Sequence, residues 1–378
     1  MRLSLFILLS TFFCLLTGLV WADSGCVTAD CHATFGKAKY VHAPVAENDC
    51  ASCHEAVTGV NLEGAGTHPE AGSMQLVEPE PQLCLQCHEN PAKEMANPHS
   101  ALEEGCTGCH NPHQGDLPAF VLQSGGKLCL TCHDEAMDTK TFKTRGQRIY
   151  GVAVGTTDLF GEVDDTGLVA ELDHSEGCSP EARYVHGPVS AGSCYLCHGI
   201  HGSDNHAMLI LPGNGTCIAC HSGIQKINDN AVSQHEPVAN GNCWDCHTPH
   251  MSNYKPFLKA FYPREFYVPY ENENFALCFN CHDKNAFLFE RTSEATGFRN
   301  RDQNLHYFHV NRADKGRVCK SCHGVHGADQ EKLLMSRVPG FGEWDIPMIW
   351  ANDGERATCY VGCHRPKTYD REQKIDNL

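Results

Sequence analysis

The longest apolar run of the chain stands at its beginning. A single charge, Arg2, precedes an apolar stretch from Leu3 to Val20, and the small residue Ala22 follows shortly after it. A basic start, an apolar stretch and a small residue predict a signal peptide, residues 1–22, that is cleaved after Ala22. The alternative is a retained membrane anchor, because the stretch is close to the length that spans a bilayer. No later segment is apolar enough to be a transmembrane segment.

Beyond residue 22, hydrophobic and polar positions follow no long helical or strand period. The chain contains 34 glycines and 19 prolines, which interrupt every candidate run. We therefore expect mostly irregular coil with short α-helices and few short strands. Residues 147–165 could form a hairpin. Residues 251–275 are rich in aromatics and proline, and we expect them to cover buried groups rather than to contact a partner.

Composition explains how such a chain could be held together. Only 41% of the residues are hydrophobic, whereas cysteine and histidine each occur 24 times. A large apolar core is not expected, and bound metals or cofactors are the usual substitute. The chain beyond residue 22 carries 28 basic and 46 acidic residues. This charge argues against nucleic acid as a partner and suits a soluble protein that meets basic partners.

The cysteines form a repeated motif. Twenty-two of the 23 beyond residue 22 form eleven pairs, and a histidine directly follows each pair. Nine pairs are CxxCH, whereas the first and last are stretched to CX4CH and CX3CH. In chain order, motifs 1 to 11 are Cys26/Cys31/His32, Cys50/Cys53/His54, Cys84/Cys87/His88, Cys106/Cys109/His110, Cys129/Cys132/His133, Cys194/Cys197/His198, Cys217/Cys220/His221, Cys243/Cys246/His247, Cys278/Cys281/His282, Cys319/Cys322/His323 and Cys359/Cys363/His364.

The histidine decides among the chemistries that paired cysteines serve. Zinc ribbons, disulfides and redox dithiols also use such pairs, but none requires a histidine directly after the second cysteine. CxxCH is the attachment signature of c-type haem, in which both thiols form thioethers and the histidine ligates iron. The sequence therefore predicts eleven covalently attached haem c groups, each with its motif histidine as the proximal iron ligand. We expect the chain without haem to be essentially unfolded.

The motifs alternate between two kinds of segment. One kind has a histidine on either side, as in HGPVSAGSCYLCHGIHG, and the other is plain, as in LCLQCHEN. Motifs 2+3, 4+5, 6+7, 8+9 and 10+11 thus form five doubled units. The pattern resembles multihaem c-type cytochromes of the doubled CXXCH type, and the stretched first motif resembles those of small tetrahaem cytochromes. This resemblance implies a multihaem cytochrome c architecture with stacked haems, exported electron carriers and two histidines on each iron.

Thirteen histidines lie outside the motifs and are candidates for the second, distal iron ligand. Ten occupy repeated positions beside the motifs: His42, His68, His99, His113, His186, His201, His235, His250, His309 and His326. Three further candidates are His174, His206 and His306. A histidine three residues after the proximal one, such as His201 after His198, cannot reach the far face of the same iron. We predict that it ligates a neighbouring haem; the alternative is a surface or hydrogen-bonding histidine.

A gap of 65 residues separates the proximal histidines of motifs 5 and 6. It predicts an N-terminal pentahaem domain at 23–133, a haem-free linker or insert at 134–177 and a C-terminal hexahaem domain at 178–378. Cys178 is left without a motif, and no role is assigned to it.

These features favour an exported undecahaem electron-transfer conduit, in the periplasm or at the cell surface, rather than a substrate-converting enzyme. Expected partners are other redox proteins: periplasmic or outer-surface cytochromes and a membrane quinol-oxidising complex. One alternative is a multihaem reductase of a nitrogen or sulfur oxyanion with an open-site haem. The other is a self-associating subunit of a haem-lined filament.

Overall fold

The computed structural model describes residues 32–57, 72–133, 184–340, 343–354 and 356–377. Over these residues the chain is mostly coil with one-turn helices and very short strands, which confirms the predicted fold class. The longest described helix, Ser222–Asn230, has nine residues, and the longest described strand, Asp345–Asn352, has eight. Among the described residues, no helix has the length and apolar character needed to cross a membrane.

Several predictions concern residues outside the described ranges and stay predictions. They are the signal peptide at 1–22, Cys26 and Cys31 of motif 1, His68, the linker at 134–177 with the hairpin at 147–165, His174 and Cys178.

The described helices are short, and many of them begin or end at a motif. The α-helices are Ala43–Ala46, Gln82–Leu85, Ala101–Glu104, Gly126–Cys129, Gly187–Ser190, Gly215–Ile218, Ser222–Asn230, Glu236–Ala239, Ala276–Phe279, Asn285–Leu288 and Leu305–Val310. The 3₁₀-helices are Cys50–Ser52, Pro118–Phe120, Cys194–Leu196, His206–Met208, Cys243–Asp245, Asn272–Phe275, Cys319–Ser321 and Glu331–Leu333.

The two kinds of motif segment differ in local structure. The first cysteine of motifs 2, 6, 8 and 10 opens a 3₁₀-helix, whereas that of motifs 3, 5, 7 and 9 lies inside a one-turn α-helix.

The strands are paired mainly in isolated two-stranded ladders. They are β1 Tyr40–Val41, β2 His54–Ala56, β3 Met74–Leu76, β4 Asn97–Pro98, β5 Gln114–Gly115, β6 Tyr184–Val185, β7 Gly202–Ser203, β8 Ser233–Gln234, β9 Met251–Ser252, β10 Tyr267–Val268, β11 Arg299–Asn300, β12 Gln303–Asn304, β13 Gly316–Arg317, β14 Gly327–Ala328, β15 Arg337–Pro339, β16 Asp345–Asn352, β17 Arg356–Val361 and β18 Lys367–Asp370. All pairings are antiparallel: β1–β5, β2–β3, β4–β7, β6–β9, β8–β14, β10–β13, β11–β12 and the four-stranded sheet β15–β16–β17–β18.

The described chain divides into two compact units. Unit 1 comprises residues 1–88 and 103–122, and unit 2 comprises residues 89–102 and 123–378. This division does not use the gap at 134–177 as its boundary. The predicted pentahaem and hexahaem domains therefore stay a prediction, because the gap lies outside the described residues.

The C-terminal sheet is the largest regular element and carries the last motif. Along β16, burial alternates, and Ile346 and Met348 face inward while their neighbours are exposed. These two residues pack with Val338 of β15 and the partly buried Cys322 of motif 10. Cys359 lies on β17 opposite Trp350 of β16. The first cysteine of the stretched CX3CH motif therefore lies on a strand, whereas that of the other described motifs lies in a helical turn or in coil.

The aromatic segment 251–275 forms part of the second apolar cluster of unit 2. Phe275 is 0% exposed and packs with Val268, Val310 and Val318. Tyr262 packs against the same cluster beside Cys319, and its hydroxyl accepts a hydrogen bond from Lys320 N at 2.9 Å. The segment thus covers the first cysteine of motif 10. Only twelve hydrophobic residues are buried in the described chain, so the protein part of the core is thin.

Candidate haem-binding site

Four proximal histidines are oriented by one recurring turn. In motifs 4, 6, 8 and 10, the proximal Nδ1 donates a hydrogen bond to the carbonyl oxygen nine residues later. The pairs are His110 to Ala119 (2.7 Å), His198 to Ala207 (3.0 Å), His247 to Pro256 (2.9 Å) and His323 to Lys332 (3.1 Å). Because Nδ1 keeps the hydrogen, the other ring nitrogen, Nε2, is free to bind a metal ion.

In motifs 4, 6 and 10, the residue whose carbonyl accepts this hydrogen bond has a left-handed backbone although it is not glycine. Ala119 and Ala207 have φ of 53°, and Lys332 has φ of 60°. Such a conformation costs on the order of 1–3 kcal/mol and persists only where the surroundings impose it. The surroundings are a backbone bridge between each proximal histidine and a residue eleven positions later: His110–Val121, His198–Leu209, His247–Leu258 and His323–Leu334.

The same turn explains the position of His206, a distal candidate. His206 lies eight residues after the proximal histidine of motif 6, on the exposed start of the turn. The equivalent residues after motifs 4, 8 and 10 are Pro118, Lys255 and Glu331. Because none of these can ligate iron as an imidazole does, the register marks His206 as a surface turn residue.

The second cysteine of a motif is placed differently in the two halves of a doubled unit. In the first motif of each unit it is partly buried, and in the second motif it is exposed. The partly buried set is Cys53, Cys109, Cys197, Cys246 and Cys322, and the exposed set is Cys87, Cys132, Cys220, Cys281 and Cys363. The sequence-based prediction assigned all these thiols the same role in haem attachment, and the structure separates them into two environments. Thioether formation at each of them stays a prediction.

Backbone hydrogen bonds account for this difference in burial. In motifs 4, 6, 8 and 10, the carbonyl of the second cysteine accepts a hydrogen bond from the residue thirteen positions later, as Cys109 O accepts from Leu122 N at 2.9 Å, and in motif 2 Cys53 O accepts from Val77 N at 3.0 Å. The returning chain therefore shields that cysteine. The N–H of the second cysteine donates to the carbonyl of the first cysteine in both kinds of motif, including the plain motifs 3, 5 and 7. These bonds run from Cys87 N to Cys84 O (3.2 Å), from Cys132 N to Cys129 O (3.3 Å) and from Cys220 N to Cys217 O (3.3 Å).

Histidines that precede a motif are positioned by a strand and a proline. His42, His186 and His235 each follow a two-residue strand and are the N-cap of a one-turn helix with proline in its first turn. Proline is favoured there because its missing N–H has no intrahelical partner anyway. The ring is held from the other side: Nδ1 of His42 donates to Pro112 O at 2.8 Å, and Nδ1 of His235 donates to Val325 O at 3.0 Å.

Four of the two-stranded ladders each bring the backbone of an upstream histidine to that of a downstream histidine. His42 N donates to His113 O at 3.0 Å beside the β1–β5 ladder, and His186 N donates to His250 O at 3.0 Å beside β6–β9. The β4–β7 ladder links His99 N to His201 O at 2.9 Å in the same way, and β8–β14 links His235 N to His326 O at 3.5 Å. Two candidate distal histidines therefore leave each of these four ladders side by side.

Seven proximal histidine rings face a second imidazole. The ring-centre distances span 5.7 to 6.3 Å: His88 with His42 (5.7 Å), His54 with His113 (5.9 Å), His133 with His99 (5.8 Å), His221 with His186 (6.0 Å), His198 with His250 (5.9 Å), His282 with His235 (6.1 Å) and His247 with His326 (6.3 Å).

These distances fit two imidazoles on opposite sides of one metal ion. A metal-to-imidazole bond of about 2.0–2.1 Å and about 1.1 Å from nitrogen to ring centre, taken twice, give about 6.3 Å. Rings in van der Waals contact would lie closer. The donor set therefore fits an iron between two histidines, in seven described positions.

The pairings follow two rules. An upstream histidine faces the second proximal histidine of its own doubled unit, as His42 faces His88 and His186 faces His221. A downstream histidine faces the proximal histidine two motifs earlier, as His250 faces His198. The described ring partner of His250 is therefore not its own motif histidine, and ligation of a neighbouring haem stays a prediction.

Successive motifs also meet through their cysteines. In unit 1, Cys84 of motif 3 is the hydrogen-bond partner of Cys106 of motif 4. In unit 2 the equivalent partners are Cys129–Cys194, Cys217–Cys243 and Cys278–Cys319. Between the other successive motifs, the thiols lie near one another. These neighbours are Cys53 with Cys84 and Cys87, Cys197 with Cys217 and Cys220, Cys246 with Cys281, and Cys322 with Cys359 and Cys363. Motifs 2 to 4 and motifs 5 to 11 are therefore each adjacent in chain order.

The thiol contacts perturb the cysteine pKa values. A hydrogen bond from Cys129 lowers the pKa of Cys194 to about 7, and one from Cys217 lowers that of Cys243 to about 7. Burial, followed by the hydrogen bond with Cys106, raises the pKa of Cys84 to about 11. The first cysteines of these neighbouring motifs therefore lie side by side.

Comparison with known families agrees with this geometry. The doubled CXXCH motif family matches residues 42–93, 99–138, 186–226 and 235–287. The chain is a multihaem c-type cytochrome. No curated protein matches it. Each matched region of this cytochrome begins at an upstream histidine, namely His42, His99, His186 or His235, and includes the proximal histidine that the upstream ring faces. The fifth predicted unit, motifs 10 and 11, lies outside the matched regions.

The C-terminal end of the cytochrome contains two partly buried histidines, His306 and His309. Burial, with smaller effects of His323 and His309, lowers the pKa of His306 to about 4. Nδ1 of His306 is hydrogen-bonded to Thr296 Oγ1 at 2.8 Å, and Nδ1 of His309 donates to Leu305 O at 2.7 Å. Burial also lowers the pKa of His309, which lies near His364 of motif 11. His306 therefore lies near the proximal ring of motif 10, and His309 lies near that of motif 11.

Motif 1 is described only at its histidine. The His32 ring stacks on Phe35 at 5.3 Å, and Phe35 stacks on His113 at 4.9 Å. The candidate distal ligands His68 and His174 lie outside the described residues, and so their predicted roles stay predictions.

One acidic side chain anchors the thiol contact of unit 1. The Glu80 carboxylate accepts hydrogen bonds from Cys106 N (2.7 Å), Thr107 N (3.0 Å) and Thr107 Oγ1 (2.8 Å). Glu80, Cys84 and Cys106 together have the proximity of a metal site. The backbone bonds already account for the carboxylate, and both cysteines belong to haem motifs, so Glu80 has a structural role.

These bonds predict a pH-dependent contribution of Glu80. Burial raises its pKa, but the hydrogen bonds from Thr107 and Cys106 outweigh burial, and the pKa is lowered from 4.5. A lowered pKa adds stability above the unfolded value, and this stability is lost as pH falls through the folded value. We expect Glu80→Gln to reduce thermal stability at pH 7 and to match wild type well below pH 4. Thermal melts across pH test this, with exposed Glu78→Gln as the unaffected control; a deficit that persists in acid would contradict it.

Proposed function

We propose that this cytochrome is an exported undecahaem electron conduit in which the haems of each unit follow one another in chain order. The observation that carries the proposal is the set of seven imidazole pairs, joined by cysteine contacts between successive motifs. Haem supplies one-electron exchange when bound, and the protein supplies spacing, axial ligands and surroundings. A row of such sites moves charge over distance.

Two histidines on an iron leave no coordination position for a substrate. Such haems are low-spin with relatively low potentials, which suits transfer rather than substrate conversion. We assign His42, His99, His113, His186, His235, His250 and His326 as distal ligands, because each faces a proximal ring at 5.7 to 6.3 Å. Their Nδ1 bonds, where described, leave Nε2 available.

The two motifs at the C-terminal end complete the scheme. We assign His306 to motif 10, because it is partly buried near His323 with Nδ1 hydrogen-bonded to Thr296 Oγ1. His309 is assigned to motif 11 by the same rule that pairs other upstream histidines with the second motif of their unit. Under this scheme the distal ligand of motif 10, His306, does not occupy any of the repeated histidine positions beside the motifs.

Export and partners belong to the proposal on the strength of the sequence. The segment 1–22 has the order of a signal peptide, and c-type haem is attached outside the cytoplasm. We propose a periplasmic location, with the cell surface as the alternative. The donors and acceptors would be other redox proteins, namely a membrane quinol-oxidising complex and periplasmic or outer-surface cytochromes.

A haem count combined with EPR tests the proposal. The expected result for the purified holoprotein is eleven haems by pyridine haemochrome and intact mass, only low-spin ferric signals and no carbon monoxide adduct. Nine haems would remove the stretched motifs from the scheme. A high-spin signal with carbon monoxide binding would favour the reductase alternative, and filaments in negative-stain micrographs would favour the assembly alternative.

A further inference from the structure

The charge of the chain is distributed unevenly along the motif order. Residues 1–250 contain 11 lysine and arginine residues and 29 aspartate and glutamate residues. Residues 251–378 contain 18 basic and 17 acidic residues. The acidic excess of the protein therefore lies entirely with motifs 1 to 8, whereas motifs 9 to 11 belong to a nearly neutral segment.

Within this segment, Arg317 is a cation held beside the last two motifs. Arg317 belongs to β13, whose partner β10 contains Tyr267, and it precedes Cys319 of motif 10 by two residues. Its guanidinium carbon lies 5.2 Å from the ring centres of both Phe266 and Tyr267. A cation over aromatic faces is held in place without a carboxylate that would cancel its charge. Among the described residues, no carboxylate lies within 4.0 Å of it.

The half-buried position of Arg317 brings its charge to groups of both motifs. Its charge acts on His309, near motif 11, and on Cys322 of motif 10. No acidic side chain acts on either of these two groups among the described residues. Reduction adds one electron to a haem and lowers the charge of the site by one. A nearby positive charge therefore favours the reduced form, and more strongly in a partly buried setting than in water.

We propose that Arg317 raises the reduction potential of the haems attached by motifs 10 and 11, so that electrons from a donor redox protein collect at the C-terminal end. The inference rests on the proposed conduit and adds a direction to it. Motifs 1 to 8 belong to the acidic part of the sequence, whose negative charge disfavours added electrons, and the C-terminal pair is the electron-accepting end of unit 2. An acceptor redox protein would then dock near the C-terminal sheet.

Redox titration of the holoprotein, followed by its haem absorbance, tests the role of Arg317. In Arg317→Gln, the midpoint potential of the most positive haem component should fall by about 59 mV. For one electron, this is about a tenfold change in the ratio of oxidised to reduced haem at a fixed potential. Arg317→Lys keeps the charge and should stay near wild type. Arg337→Gln removes an exposed arginine of β15 and is the matched control. Arg312 is another cation whose charge acts on His309, and Arg312→Gln should lower the same midpoint potential by a smaller amount. This variant still tests the inference if Arg317→Gln does not retain its haems.

The outcomes separate the inference from the proposed function. Haem count and EPR of the same samples report on the conduit, whereas the shifts report on Arg317 alone. An unchanged titration in Arg317→Gln overturns the inference, as does an equal shift in Arg337→Gln. A shift in Arg317→Lys as large as in Arg317→Gln would mean that packing rather than charge sets the potential, and would overturn it too.

Discussion

Replacing His250 by alanine should open the haem of motif 6, not that of motif 8, although His250 lies only three residues after His247 of motif 8. The His250 ring faces His198 of motif 6 at 5.9 Å and is half-buried beside it. Removing one of two axial imidazoles leaves a five-coordinate iron. We expect a high-spin EPR signal and a carbon monoxide adduct, each amounting to one haem of the full complement.

A second substitution identifies the opened haem. Cys194→Ala with Cys197→Ala removes the haem of motif 6, and the high-spin signal of His250→Ala should vanish with it. Cys243→Ala with Cys246→Ala removes the haem of motif 8, and the signal should persist. His206→Ala changes an exposed turn residue after motif 6 and is the control. It should produce neither a high-spin EPR signal nor a carbon monoxide adduct. Loss of the signal with motif 8 instead would refute the ligand rule.

This ligand rule shows where sequence reasoning reached its limit. The spacing of His201 or His250 behind a proximal histidine excludes the same iron, because three residues cannot wrap around the porphyrin. The spacing does not reveal which other iron is served. That choice depends on ladders only two residues long, such as β6–β9, and pairs this short leave no period-2 signal in the sequence.

Other parts of the site left weak signals or none. The turn that orients the proximal Nδ1 places Ala119, Ala207 and Lys332 at positive φ, a conformation for which glycine is the usual marker. Without glycine, only the constant nine-residue offset from the proximal histidine could have indicated it. The C-terminal sheet was detectable, since DIPMIW alternates along β16, but the expectation of sparse strands concealed it.

The scarcity of protein core predicts how the chain behaves without haem. A chain made without haem attachment should lack the far-UV signature of the holoprotein over most of its length, and its amides should exchange hydrogen rapidly. The physical reason is that only twelve described hydrophobic residues are buried, whereas Leu196, Ile200 and other large apolar residues near the motifs are exposed. We expect haem to cover these residues, so that haem binding supplies folding free energy.

The C-terminal sheet should be the exception, because its core does not consist of motif residues alone. Val338, Ile346 and Met348 pack together, and β16 pairs with both β15 and β17. Hydrogen exchange measured by mass spectrometry should therefore find residual protection in residues 337–370 and little in residues 32–133. Exchange of the holoprotein under the same conditions is the control. Protection spread evenly over all motifs in the haem-free chain would show that the protein part of the core suffices to fold it.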